Sequence, residues 1–156
     1  MDTVTYPDPA VTEAVNTHFA PLTINLFDRH PDFKEASAGA RIPWAPTLVF
    51  SDAKGRELRR YVGWLPPESF LAELTLVRGI AGVGQGQFES AAEILAPLDA
   101  EYADKEVAAE GLYWLGIARF LAGSKDMEAL RGCWEKLVEK HPGSRFATHA
   151  SVIKDA

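Results

Sequence analysis

The hydrophobic pattern divides the chain into a mixed first half and a helical second half. From residue 67 onward, apolar residues recur every three or four positions, which is typical of helices that bury one face. Pro66 and Pro67 mark the start of the first of these helices, because proline is tolerated in the first helical turn. The pattern predicts helices at about 67–84, 88–102, 106–122, 126–141 and 144–154.

The segment before residue 40 has signals for both helix and strand. Asp8 followed by Pro9 is a typical helix start and predicts a helix that runs to about residue 16. Apolar and polar residues then alternate over residues 22–27, which predicts a strand. After a turn, residues 32–38 predict a short helix.

The next segment has the pattern of a β-hairpin. The apolar residues of 46–50 are consecutive, which predicts an interior strand covered on both faces. Residues 51–55 contain the residue types of a tight turn. In 57–62 the charged residues Arg59 and Arg60 are interleaved with apolar ones, which predicts a more exposed strand.

The helical half contains an internal repeat. Gly79-Ile80-Ala81 recurs as Gly116-Ile117-Ala118, 37 positions later. Repeats of 34 to about 40 residues built from paired helices are typical of the tetratricopeptide class, which this half resembles. Such an array needs about three repeats to form a peptide-binding groove, and the chain has fewer. We therefore expect the aromatic residues to be mainly core, with a groove as the alternative: Tyr102, Tyr113, Trp114, Phe120 and Trp134.

The order of elements in the first half resembles the thioredoxin family. The resemblance covers about residues 1–78 and depends most on the loop Ile42-Pro43-Trp44-Ala45-Pro46-Thr47 before the hairpin. It implies an incomplete thioredoxin-like α/β fold at 1–78. An all-α region of tetratricopeptide-like hairpins at 79–156 follows, and helix 67–84 is shared. In the family a cis-proline precedes the third core strand, and Pro46 is the matching residue.

The resemblance also implies a substrate-binding site. In the complete family the neighbourhood of the cis-proline receives the substrate peptide through the backbone of the preceding residue, which corresponds to Ala45. The candidate site therefore consists of Trp44, Ala45, Pro46 and Thr47. The favoured interpretation of Trp44 and Trp64 is nevertheless that they pack a small core, and a retained peptide-binding role is the alternative.

The chain departs from the family at its N-terminus. Family members have a central strand and a CxxC motif before the first helix, and the resemblance places Met1 a few residues after the second cysteine. A late assigned start, a truncation or a degenerate member would each explain this. Without the central strand, the neighbouring strands expose unpaired backbone groups. Residues 3–6 favour a strand and could fill part of the gap, but we expect them to be only partly ordered. Direct pairing of the two strands, or a homodimer through the exposed sheet edges, is the alternative.

Cysteine content limits the chemistry. The sequence has one cysteine, Cys133, at helical spacing from Ala129 and Leu137, which predicts a buried thiol on an apolar helix face. A lone thiol forms neither a dithiol redox site nor a multi-thiolate metal site. The four histidines lie far apart, and no phosphate-binding glycine loop is present. We therefore predict no catalytic residue, no cofactor and no metal site.

Composition and net charge limit the classes of partner that the chain is expected to bind. With 47% hydrophobic and 24% charged residues, the chain resembles an ordinary soluble globular protein. A net charge of −6 with scattered basic residues argues against nucleic acid and anionic membranes. No apolar run approaches the ~20 residues of a membrane span. Without a secretory signal segment, the default expectation is the cytoplasm. The expected partner is therefore a protein or a peptide.

Three functional hypotheses follow. The first is a redox-silent thioredoxin-like interaction module. The second is a fragment of a thiol–disulfide oxidoreductase whose CxxC motif lies upstream of Met1. The third is a glutathione-transferase-like protein, because that fold also joins a thioredoxin-like domain to helices. The third is disfavoured, since the helical half is too short and the loop after the hairpin lacks the expected acidic-serine pair.

Overall fold

The structure, a computed structural model of the chain, describes residues 1–25, 28, 31, 33 and 42–154. The chain divides into two compact units, Met1–Leu71 and Ala72–Ala156. The elements, in chain order, are α1 (Pro9–His18), β1 (Thr47–Ser51), β2 (Glu57–Val62), α2 (Pro67–Gly84), α3 (Phe88–Leu95), α4 (Leu98–Glu101), α5 (Glu106–Ala122), α6 (Met127–Lys140) and α7 (Arg145–Ala150), followed by a 3₁₀ turn at Ser151–Lys154.

Helix α1 begins where the sequence predicts. The Asp8 carboxylate accepts hydrogen bonds from the N–H groups of Ala10 and Val11, which satisfies backbone donors that have no partner in the first turn. Pro9 occupies the first helical position, where its missing N–H costs nothing. Val11 is the buried residue of the helix.

The predicted hairpin is present. Strands β1 and β2 pair antiparallel, with Thr47 opposite Val62, and a bulge interrupts the ladder between Phe50 and Ser51. The Asp52 carboxylate closes the turn by accepting from the N–H groups of Lys54 and Arg56. Gly55 follows with φ +75°, a conformation that a residue without Cβ adopts freely.

Other expectations for the first unit are corrected. Residues 22–25 form no strand, and Leu22 is 71% exposed. Residues 26–27 lie outside the described residues, as does the predicted helix 32–38 apart from Phe33. Alternation of polarity alone does not form a strand, because a strand also needs a neighbour to pair with.

Residues 3–6 are also different from the expectation of partial order. They form turns in which the Met1 carbonyl accepts from the N–H groups of Thr5 and Tyr6. The Thr5 side chain is fully buried, and its Oγ1 donates to the Leu65 carbonyl at 2.6 Å. This segment is therefore fixed, and it adds no strand to the sheet.

The second unit consists of helices, as predicted. Helices α2 and α5 match the predicted ranges 67–84 and 106–122. The predicted helix 88–102 is wrong in one respect, because it is divided at Pro97 into α3 and α4. Proline has no N–H to donate to the preceding turn, so the helix ends before it. No helix in the described part of the chain is long and apolar enough to cross a membrane.

The helices of the second unit approach each other closely in its core. A Cβ added to Gly79 would lie 2.4 Å from Leu95, and one added to Gly116 would lie 2.7 Å from the Trp134 ring. Only glycine allows these contacts, because real Cβ atoms do not approach so closely. The apolar residues buried around these contacts come from several helices and include Leu76, Leu95, Leu112, Cys133 and Leu137.

Candidate functional site

The predicted site lies at one end of the hairpin. The loop of Trp44, Ala45 and Pro46 leads directly into β1, and the Ala45–Pro46 peptide bond is cis, as the resemblance implies. Thr47 Oγ1 donates to the Trp44 carbonyl at 2.5 Å, which holds the loop in a tight turn. The Gly63 N–H donates to the Pro46 carbonyl at 2.8 Å. That bond places the residue after β2 beside the loop.

Both tryptophans of this end are exposed. Trp44 is 70% exposed and Trp64 is 53% exposed. The interpretation that they pack a small core is therefore wrong. The sequence alone could not predict the exposure of the two tryptophans. Burial of an aromatic side chain depends on residues that are distant in the chain, whereas a turn depends on residues that are adjacent.

The loop also presents unoccupied backbone groups. Ala45 is exposed, and its N–H and C=O form no hydrogen bond with any residue that the structure describes. An extended peptide could pair with these groups in the manner of an added strand. The four predicted site residues are contiguous in the chain, and Trp64 follows Gly63, whose N–H donates to the Pro46 carbonyl.

One edge of β1 pairs with none of the residues that the structure describes. The Pro46 carbonyl accepts from Gly63, and the Asp52 N–H donates to the Arg56 carbonyl at 2.9 Å, so the even-numbered residues of this stretch direct their backbone groups toward β2. Because the direction alternates along a strand, the N–H and C=O groups of Thr47, Val49 and Ser51 point to the other edge. No described residue pairs with that edge.

Exposure of Val49 corrects the prediction of a strand covered on both faces. Val49 is 37% exposed, whereas Phe50 on the opposite face is buried and packs edge-on against Phe19. Consecutive apolar residues predict burial on both faces of a strand, so they give no sign that Val49 lies at the surface.

Ion pairs join Arg56 to Asp52 and Arg60 to Glu57 in the hairpin. Arg60 donates from Nε and Nη2 to the Glu57 carboxylate at 2.9 and 2.5 Å, which lowers the pKa of Glu57 and raises that of Arg60. The backbone N–H of Arg56, together with its side chain, lowers the pKa of Asp52. Both carboxylates are therefore ionised at neutral pH. This arrangement suits a binding surface better than proton transfer.

The single thiol lies in the other unit. Cys133 is buried in α6, as predicted, and Arg119 Nη1 donates to its Sγ at 3.5 Å. A buried cysteine on an apolar helix face acts as a small hydrophobic residue. Within the described residues, no group of His, Cys, Asp or Glu side chains could hold a metal ion.

Four of the five predicted helical aromatic residues pack against the core of the second unit, whereas Phe120 is half-buried and is not part of that core. Tyr102, Tyr113, Trp114 and Trp134 are partly buried there. A shallow cleft of 580 Å³ lies where the loop before α5 meets the loop after α6. Its charged lining residues are Asp104, Lys105, Glu106, Lys140 and Arg145. Arg145 Nε is 3.5 Å from Glu106, and Lys140 contacts Asp99, so the cleft favours ligands of neither sign.

Comparison with known families gives a match for the first half of the chain. Residues 1–78, half of the 156-residue chain, match the family described as the thioredoxin-like domain. No curated protein and no solved structure gives a significant match. The chain therefore belongs to the thioredoxin-like domain family.

Proposed function

We propose that this chain is a redox-silent thioredoxin-like interaction module that binds an extended segment of another protein. The binding site is the loop of Trp44, Ala45, Pro46 and Thr47, with Trp64 beside it. The observation that carries the proposal is the exposure of both tryptophans at the same end of the hairpin. Large exposed apolar groups cost solvation free energy, and tryptophan is enriched among the residues that dominate protein interfaces.

Backbone and side chain have separate roles in this site. The free N–H and C=O of Ala45 would pair with the backbone of the bound segment and fix its direction. Trp44 and Trp64 would cover its apolar side chains. Because backbone pairing is independent of sequence, we expect broad recognition of extended apolar segments rather than one sequence motif.

A binding measurement tests the proposal. The probe is reduced, carboxymethylated lactalbumin, an unfolded chain without free thiols, and titration calorimetry measures its affinity. Truncation of a central interface tryptophan costs about 2 kcal/mol or more, so Trp44→Ala should weaken binding by about 30-fold. Trp64→Ala should weaken it by a similar factor.

The matched control is Met127→Ala, which removes an exposed apolar side chain from the second unit. It should leave the affinity unchanged. Equal affinities for the wild type and both tryptophan variants would refute the site, and so would the absence of binding by the wild type.

Redox silence is supported by the position of the single cysteine. Thiol–disulfide exchange needs an accessible thiolate and a second thiol, whereas Cys133 is buried and is the one cysteine of the sequence. We expect the chain not to accelerate the reduction of insulin disulfides by dithiothreitol. Turnover comparable to that of a thioredoxin would contradict this expectation.

The second candidate is a fragment of a thiol–disulfide oxidoreductase whose CxxC motif lies upstream of Met1. It is favoured by a thioredoxin-like match over residues 1–78 that contain no cysteine. The codons that precede Met1 in the gene discriminate between the two candidates. An in-frame CxxC motif a few residues upstream would support the fragment, and a stop codon there would support the interaction module.

We further propose that residues 79–156 are tetratricopeptide-like hairpins whose role is packing, with α2 shared with the thioredoxin-like domain at 1–78. The support is the equivalence of two glycine contacts. Gly79 faces Leu95 of the following helix, and Gly116 faces Cys133 and Trp134 of the following helix. The two glycines are 37 positions apart, and their partners Leu95 and Trp134 are 39 positions apart. The structure of a homologue that contains further copies of the same helical hairpin would test this interpretation.

A further inference from the structure

We draw no further inference here: the strongest candidate, the shallow cleft where the loop before α5 meets the loop after α6, has Arg145 paired with Glu106 and Lys140 paired with the neighbouring Asp99, and nothing among the described residues shows which ligand would occupy it.

Discussion

The rings of Tyr113 and Trp134 stack in parallel, with centroids 5.0 Å apart and planes 7° from parallel. The indole Nε1 of Trp134 also donates to the Tyr113 carbonyl at 3.1 Å. The stacked rings and the hydrogen bond together fix α6 against α5 at this position. Gly116, one turn further along α5, leaves the room that the indole needs.

The first prediction concerns Gly116→Ala. The new Cβ would lie 2.7 Å from two atoms of the rigid Trp134 ring and 3.2 Å from Cys133 Cβ. The ring must move, which breaks the stack and the hydrogen bond. We expect a loss of about 1–3 kcal/mol in the free energy of unfolding, despite the helix propensity of alanine. Urea denaturation measures this loss.

Gly132→Ala is the control for that variant. Gly132 is exposed in α6, and nothing lies within 4 Å of an added Cβ. The substitution should therefore stabilise the protein by about 0.5–1 kcal/mol through helix propensity alone. If both substitutions changed the free energy of unfolding in the same direction, the close packing at Gly116 would be contradicted.

The second prediction concerns the buried Asp99. Lys136 Nζ and Lys140 Nζ lie 2.6 and 3.0 Å from Asp99 Oδ2, and His141 Nε2 lies 3.7 Å from Oδ1. Burial alone would raise the pKa of Asp99, but the hydrogen bonds from both lysines outweigh it and lower the pKa. At pH 7, Asp99→Asn should reduce the free energy of unfolding by about 1–3 kcal/mol.

The pH dependence follows from the direction of that shift. A lowered pKa in the folded state stabilises the protein above the unfolded pKa of about 3.9. This stabilisation is lost as the pH falls through the folded pKa, so the wild type and Asp99→Asn should converge in acid. Asp104→Asn, at an exposed position, is the control and should follow the wild type throughout.

The third prediction concerns Thr5. Thr5→Val retains the shape of the side chain but removes the hydrogen bond to the buried Leu65 carbonyl. We expect a loss of about 1–2 kcal/mol in the free energy of unfolding. Thr3→Val, two residues earlier at an exposed position, should have no measurable effect. Comparable losses for both variants would show that the bond is not responsible.

The fourth prediction concerns backbone conformation. Lys125 has φ +74°, in the left-handed region that disfavours residues with a Cβ. Lys125→Gly should raise the free energy of unfolding by about 0.5–1 kcal/mol, after the greater entropy of glycine in the unfolded chain is included. Thermal unfolding provides the measurement.

Gly86→Ala is the reverse experiment. Gly86 has φ +77°, and nothing lies within 4 Å of an added Cβ, so only the backbone is affected. We expect it to lower the free energy of unfolding by about 1 kcal/mol. A gain from Gly86→Ala, or a loss from Lys125→Gly, would contradict the argument.

Local signals in the sequence predicted local structure well. Asp8 and Pro9 located the start of α1, and the apolar spacing located α2 and α5 with their correct ends. The failure at Pro97 was avoidable, because the signal that ends the helix was present in the sequence. Cys133 was placed correctly because its helix face follows from spacing alone.

Long-range relationships were predicted less well. The alternation at 22–27 suggested a strand, yet Leu22 is exposed. Val49 and Trp44 were assigned to buried positions because they are apolar, and both lie at the surface. In each case burial depends on which part of the chain lies opposite, which no local pattern states. The residues of the candidate site were therefore found from the loop motif, and their exposure came from the structure.

The distribution of the four tryptophans has a spectroscopic consequence. Trp44 and Trp64 lie in water on the first unit, whereas Trp114 and Trp134 are partly enclosed by the core of the second. The long-wavelength side of the emission spectrum should therefore come mainly from the first pair, and collisional quenching by iodide should remove it first. Without any added dye, the emission of the native protein reports on the two units separately.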